Sequence, residues 1–159
     1  MPEVKTYGLK SIKFGVAAED GTMPTPMTAL FRTYRDSVSF VEDDADVQDE
    51  YSDQDDAPVI SIGTKGKKTI KVSTFDYSPE VLTAMKGGTT LNGQWVEPVG
   101  FQTIHKAVEI TTDTDLPFQC SKVQIFTKFN AEFKKKGLAL LEITMVPQVP
   151  IKIGKKTGP

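Results

Sequence analysis

The chain has 159 residues, 38% of them hydrophobic and 25% charged, which suits one domain with its own core and excludes wholesale disorder. It has no apolar run long enough for a transmembrane helix, and its start, Met1-Pro2-Glu3-Val4-Lys5, lacks the basic-then-apolar pattern of a secretory signal. A net charge of −2 disfavours a surface that grips nucleic acid, and the lone Cys120 excludes an internal disulfide, as expected of a protein made in a reducing cytoplasm.

The first strand is predicted over 9–15, where Leu9, Ile12 and Phe14 alternate with Lys10 and Lys13. Residues 17–28 carry Gly21, Pro24 and Pro26 and read as a loop, after which Leu30, Phe31 and Tyr34 turn toward the core. Residues 36–42 form a strand with Val38 and Phe40 on one face. An acidic stretch follows, with Glu42, Asp43, Asp44, Asp46, Asp49, Glu50, Asp53, Asp55 and Asp56 and no Lys or Arg among them. Its only large apolar residues, Val47 and Tyr51, leave two options open. Residues 42–56 are the far half of a hairpin with 36–41, or they are a floppy acidic loop.

Residues 58–63 and 69–76 read as two strands of a hairpin turned by Thr64-Lys65-Gly66-Lys67. Ser78-Pro79-Glu80 opens the one helix, at about 78–87: Ser78 caps it, Pro79 fits its first turn, and Gly87-Gly88 stops it. Val81, Leu82 and Met85 form its apolar stripe. Asn92-Gly93 centres a small hairpin over 89–96. Long strands are predicted over 101–112 and 118–129, the second with Val123, Ile125, Thr127 and Phe129 on one face. A lysine-rich turn, 133–137, leads to a strand over 138–146 with Ala139, Leu141, Ile143 and Met145 on one side. Residues 1–148 make one domain; 149–159, rich in Pro and Lys, read as an extended, loosely held tail. The whole is mostly β, a sandwich or barrel of about seven to nine antiparallel strands with one short flanking helix.

Chemical motifs are sparse. His105 is the only histidine and reads as a solvent-facing strand residue rather than a base. Nucleophile elbow, phosphate loop and dinucleotide fingerprint are all missing, so no enzyme is expected and no cofactor. One Cys and one His do not make a zinc site, and the acidic stretch lacks the glycine of a calcium loop. Phe126, Phe129 and Phe133, with lysines nearby, resemble a base-stacking platform only superficially and are expected in the core.

Five runs carry a family resemblance. Gly8-Leu9-Lys10-Ser11-Ile12-Lys13-Phe14-Gly15, Asp20-Gly21-Thr22-Met23 and Thr33-Tyr34-Arg35-Asp36-Ser37-Val38-Ser39-Phe40 resemble the start of phage tail tube (major tail) proteins. Residues 129–141 resemble their late hairpin, and Asp55-Asp56-Ala57-Pro58-Val59 their acidic strand closing. The likeness spans residues 8 to about 148.

The resemblance implies a small β fold shared with the tubes of bacterial injection systems. Copies pair sheet edges into hexameric rings, and the rings stack into a virion tail tube through which genomic DNA passes without specific binding. The tube meets tape measure, tail terminator and baseplate or sheath proteins and no membrane; its subunit is made in the host bacterial cytoplasm. Like charge on a channel wall keeps a polyanion from adhering, so Glu42, Asp43, Asp44, Asp46, Asp49 and Glu50 are expected as the lumenal acidic face. Asp20, Gly21, Met23, Pro24, Asp53, Asp55 and Asp56 are expected in loops that bridge subunits or rings. The competing expectations are a monomeric calcium- or carbohydrate-binding module and another tail or capsid-decoration component.

Overall fold

In the computed structural model, which describes residues 3–155, alternating apolar residues set the sheet. Ile12 and Phe14 of β1 (Ser11–Val16) point to one side, as do Ile70 and Val72 of β5 (Lys68–Thr74) and Leu141, Ile143 and Met145 of β10 (Leu140–Pro147). β8 (Ile104–Thr111) adds Val108 and Ile110; β9 (Pro117–Asn130) adds Val123 and Ile125. Each such side chain, buried to within a few per cent, contributes about 1.5–3 kcal/mol. The spatial order of strands in the main sheet is β1-β8-β9-β10-β5-β2, with β2 at Ser39–Glu42 and β11 (Lys152–Ile153) also on β9. Every pairing is antiparallel.

The seven-stranded sheet coils around a single core: Phe40 of β2 meets Phe118 of β9 with ring centroids 6.0 Å apart. Its edges β1 and β2 do not pair, so the barrel does not close. The connector after β1 instead bridges from β1 to the end of β5. Phe14 and Thr28 exchange two backbone hydrogen bonds at 2.8 Å, and Tyr34 N–H donates to Ser73 O at 2.8 Å. Phe31 is buried between these ties, Leu30 packs beside it, and Tyr34 stays exposed. The mostly β fold with one short helix is as the sequence predicts.

That helix, α1 (Pro79–Lys86), buries Val81, Leu82 and Met85. Its start differs in one respect: the Ser78 hydroxyl makes no cap bond. Asp76 Oδ1 accepts from Ser78 N–H at 2.9 Å instead. Gly87, at φ 83°, closes it, and Trp95 Nε1–H donates to Gly87 O at 2.8 Å. Trp95 lies on β7 (Gln94–Val96), which pairs with β6 (Thr89–Leu91) around Asn92-Gly93, both at positive φ, as that dipeptide predicts.

Two expectations of local pairing fail. Residues 58–63 and 69–76 do not form a hairpin with each other, and 42–56 do not pair with 36–41. β2 pairs with β5, while β3 (Asp46–Glu50) pairs with β4 (Ile60–Thr64). One register runs throughout, from Ser39↔Lys71 and Glu42↔Lys68 to Asp46↔Thr64 and Glu50↔Ile60. The two ladders are therefore one long ribbon that leaves the sheet as an arm. Thr64-Lys65-Gly66-Lys67 is a kink at its root, where Asp43 N–H donates to Lys67 O at 2.9 Å, and the real turn lies over 51–59.

The tail also differs from expectation. β11 pairs with Phe118 and Gln119, Gln148 N–H donates to Lys122 O at 2.9 Å, and Val149 and Ile151 pack on the core. The expectations for Met1-Pro2 and for 156–159 fall outside the described residues.

Candidate functional site

The arm is the feature that the core does not explain. All residues of β3 and β4 are exposed, and so are Tyr51 and Val59 beyond them. Residues opposite each other in an antiparallel pair share a face, and neighbours along a strand alternate. Asp46, Gln48 and Glu50 thus share a face with Ile60, Ile62 and Thr64. Val47 and Asp49 share the other with Ser61 and Gly63, and the Ser61 hydroxyl donates to Asp49. Each face mixes carboxylates with apolar residues, so the six carboxylates expected as one acidic face are divided between two. Glu42, at the root, pairs with Lys68 at 3.5 Å; the other carboxylates from Asp43 to Asp56 have no ion pair among the described residues.

Asp53, Asp55 and Asp56 sit exposed in the turn at the arm's tip, where Ser52 Oγ donates to Asp55 at 2.8 Å. The other expected bridging loop, with Asp20, Gly21, Met23 and Pro24, is held by its own chain. Ala18 N–H donates to Ser121 O at 2.9 Å, Lys152 Nζ donates to Gly21 O at 3.0 Å, and Lys122 pairs with Glu19 at 2.8 Å. The Thr22 N–H, 2.9 Å from Asp20 Oδ1, holds that carboxyl below its usual range. Pro24 and Met27 lie against Gly15, where a Cβ would come within 2.6 Å of either side chain.

Three aromatics expected in the core are outside it. β9 runs past the end of its pairing with β8, so its last residues lie at the rim of the sheet, beyond the central core cluster. Phe126 and Phe129 are partly exposed, and Phe133, in the β9–β10 loop, is 95% exposed. Phe129 stacks near Tyr77 and takes Lys86 Nζ over its ring at 5.0 Å. His105 is half-buried on β8 opposite Gln124.

A cleft of about 740 Å³ opens where β1 and β2 fail to meet. Leu9, Val38, Phe40, Ile110 and Phe118 line it, and Arg35, Asp36 and Asp113 stand at its rim. No nucleophile is paired with a base there. Among the described residues, no three His, Cys, Asp or Glu side chains converge as metal ligands would. No helix among them is long and apolar enough to cross a membrane. No family model matches the chain, and no curated protein matches it.

Proposed function

We propose that the chain is a structural subunit, not an enzyme, that polymerises with copies of itself as stacked, hexameric rings forming a phage-type tail tube. The observation that carries this reading is the arm. A two-stranded ribbon alone is marginal in water, and this one exposes Val47, Tyr51, Val59, Ile60 and Ile62 along its length. A ribbon of this kind gains stability from a neighbour, and the exposed apolar residues, Ile60 and Ile62 on one face and Val47 on the other, offer it an interaction surface. Beside it stands the likeness of residues 8–148 to tail tube proteins, and a sheet whose two edges do not pair with each other. Both faces of the arm carry carboxylates. One can meet a neighbouring copy while the other keeps the like charge that stops DNA from adhering to a channel wall.

In this reading the subunit belongs to a virion tail and meets other tail proteins at the tube's ends. Negative-stain images of the purified full chain are expected to show rings or tubes. A monomer that persists at high concentration, with no larger species in sedimentation, would overturn the proposal.

A further inference from the structure

The arm and the β9–β10 loop leave the sheet at opposite ends. β5 and β10 run antiparallel, with Leu141 beside Thr74 and Met145 beside Ile70. Lys68, where the arm begins, is therefore level with the end of β10, and the loop that precedes Leu140 is level with Thr74. At about 3.3 Å per residue, the arm reaches some 25 Å further away from that loop. One copy cannot bring its own two ends together.

The two ends are chemically complementary. One arm face carries Asp46 and Glu50 beside Ile60 and Ile62, all exposed. The loop carries Lys134, Lys135 and Lys136 between Phe133, 95% exposed, and Leu138, 58% exposed. Lys134 pairs with Glu132 at 2.6 Å, whereas Lys135 and Lys136 have no ion pair among the described residues. Each surface thus offers two unneutralised charges, of opposite sign, next to two apolar side chains. Residues 42–57 hold nine carboxylates and no Lys or Arg, so like surfaces of two copies repel and unlike surfaces attract.

The geometry points to the Asp46–Glu50–Ile60–Ile62 face of one copy's arm docking on the Phe133–Leu138 loop of a second copy. This rests on the self-assembly reading and names its contact. The contact is heterologous, joining different patches on the two partners, and so it propagates from copy to copy in a ring or a stack.

The test is charge exchange in the full chain. One variant carries Asp46→Lys and Glu50→Lys; the other carries Lys135→Glu and Lys136→Glu. All four positions are exposed, so the melting temperature checks that each variant folds. In sedimentation at low salt, each variant alone is expected to need about tenfold or more concentration than the wild type to assemble. An equimolar mixture of the two is expected to assemble again, because the reversed arm meets the reversed loop. As a second measurement, Ile62→Cys in one chain and Leu138→Cys in another should cross-link under oxidation, with native Cys120 buried at 2% exposure and silent.

Variants that assemble like the wild type, or a mixture with no rescue and no cross-link, would overturn the docking and leave the tube reading standing. A wild type that stays monomeric would overturn the tube reading and the docking with it. A wild type that stops at a dimer, held by the same cross-link, would support the contact and overturn the tube.

Discussion

A Cβ on Gly66 would lie 1.7 Å from the carbonyl oxygen of Asp43. The root of the arm thus holds a backbone contact that no other residue permits. Gly66→Ala forces the two strands apart at that point, at a cost of about 1–3 kcal/mol. The strain falls on the arm, since the core strands lie beyond Lys68. Amide exchange is expected to quicken in Asp46–Glu50 and Ile60–Thr64 while Val123, Ile125 and Ile143 stay protected. Unchanged exchange in the arm would show that the contact does not hold it.

At the helix start the carboxylate of Asp76, and not the hydroxyl of Ser78, makes the side-chain hydrogen bond. Ser78 makes no side-chain cap bond, while Asp76 Oδ1 accepts from Ser78 N–H and Asp76 N–H donates to Thr74 Oγ1 at 3.1 Å. Ser78→Ala is therefore expected to change stability by no more than about 0.5 kcal/mol. Asp76→Ala is expected to cost about 0.5–1.5 kcal/mol, the value of a hydrogen bond. Denaturant unfolding followed through Trp95, the only tryptophan, measures both. The reverse order of effects would restore Ser78 as the cap.

The sequence made legible those elements with one buried face. Ile12 and Phe14, Ile70 and Val72, and Leu141, Ile143 and Met145 announce their strands by alternation, because water lies on one side only. The arm gives no such signal, since both of its faces meet water. Thr64-Lys65-Gly66-Lys67 has turn composition yet serves as a kink, so local chemistry pointed to the wrong partner. In the tail, Val149, Ile151 and Ile153 keep a two-residue spacing that prolines and lysines obscure. Of the expected assembly residues, Asp46, Asp49, Glu50 and the tip carboxylates do share the arm. Asp20, Gly21, Met23 and Pro24 are tied to their own chain by backbone and lysine contacts that composition cannot show.

Tyr77 couples the sheet to alkaline pH. Its hydroxyl donates to Leu140 O, and burial raises its pKa above the ordinary tyrosine value. The folded chain therefore favours the protonated phenol. The stability this contributes is fully present below the unfolded tyrosine value of about 10 and is lost as pH rises from there through the folded value. Tyr77→Phe is expected to cost about 1 kcal/mol at neutral pH, from the lost hydrogen bond, and to reduce the fall in stability above about pH 10. Thermal unfolding at a series of alkaline pH values decides this. An equally steep decline in the variant would place the titrating group elsewhere.

The last described segment covers the only thiol. Cys120 is 2% exposed, and its Sγ lies 3.3 Å from Lys122 O and 3.6 Å from Val149 O. Lys152 and Ile153 pair with Gln119 and Phe118 next to it, and Ile151 packs on the core between them. A buried thiol reacts only when its cover opens, because the thiolate is the nucleophile and needs access to solvent. Ile151→Asp places a charge where an apolar side chain packs, and so it should free the segment without touching Cys120 itself. The native protein is expected to resist a chromogenic disulfide reagent, and the variant to react about tenfold faster or more while its sheet still melts cooperatively. Equal rates would mean that the thiol is sheltered by β8 and β9 alone and that the segment from Val149 to Ile153 only rests on the surface.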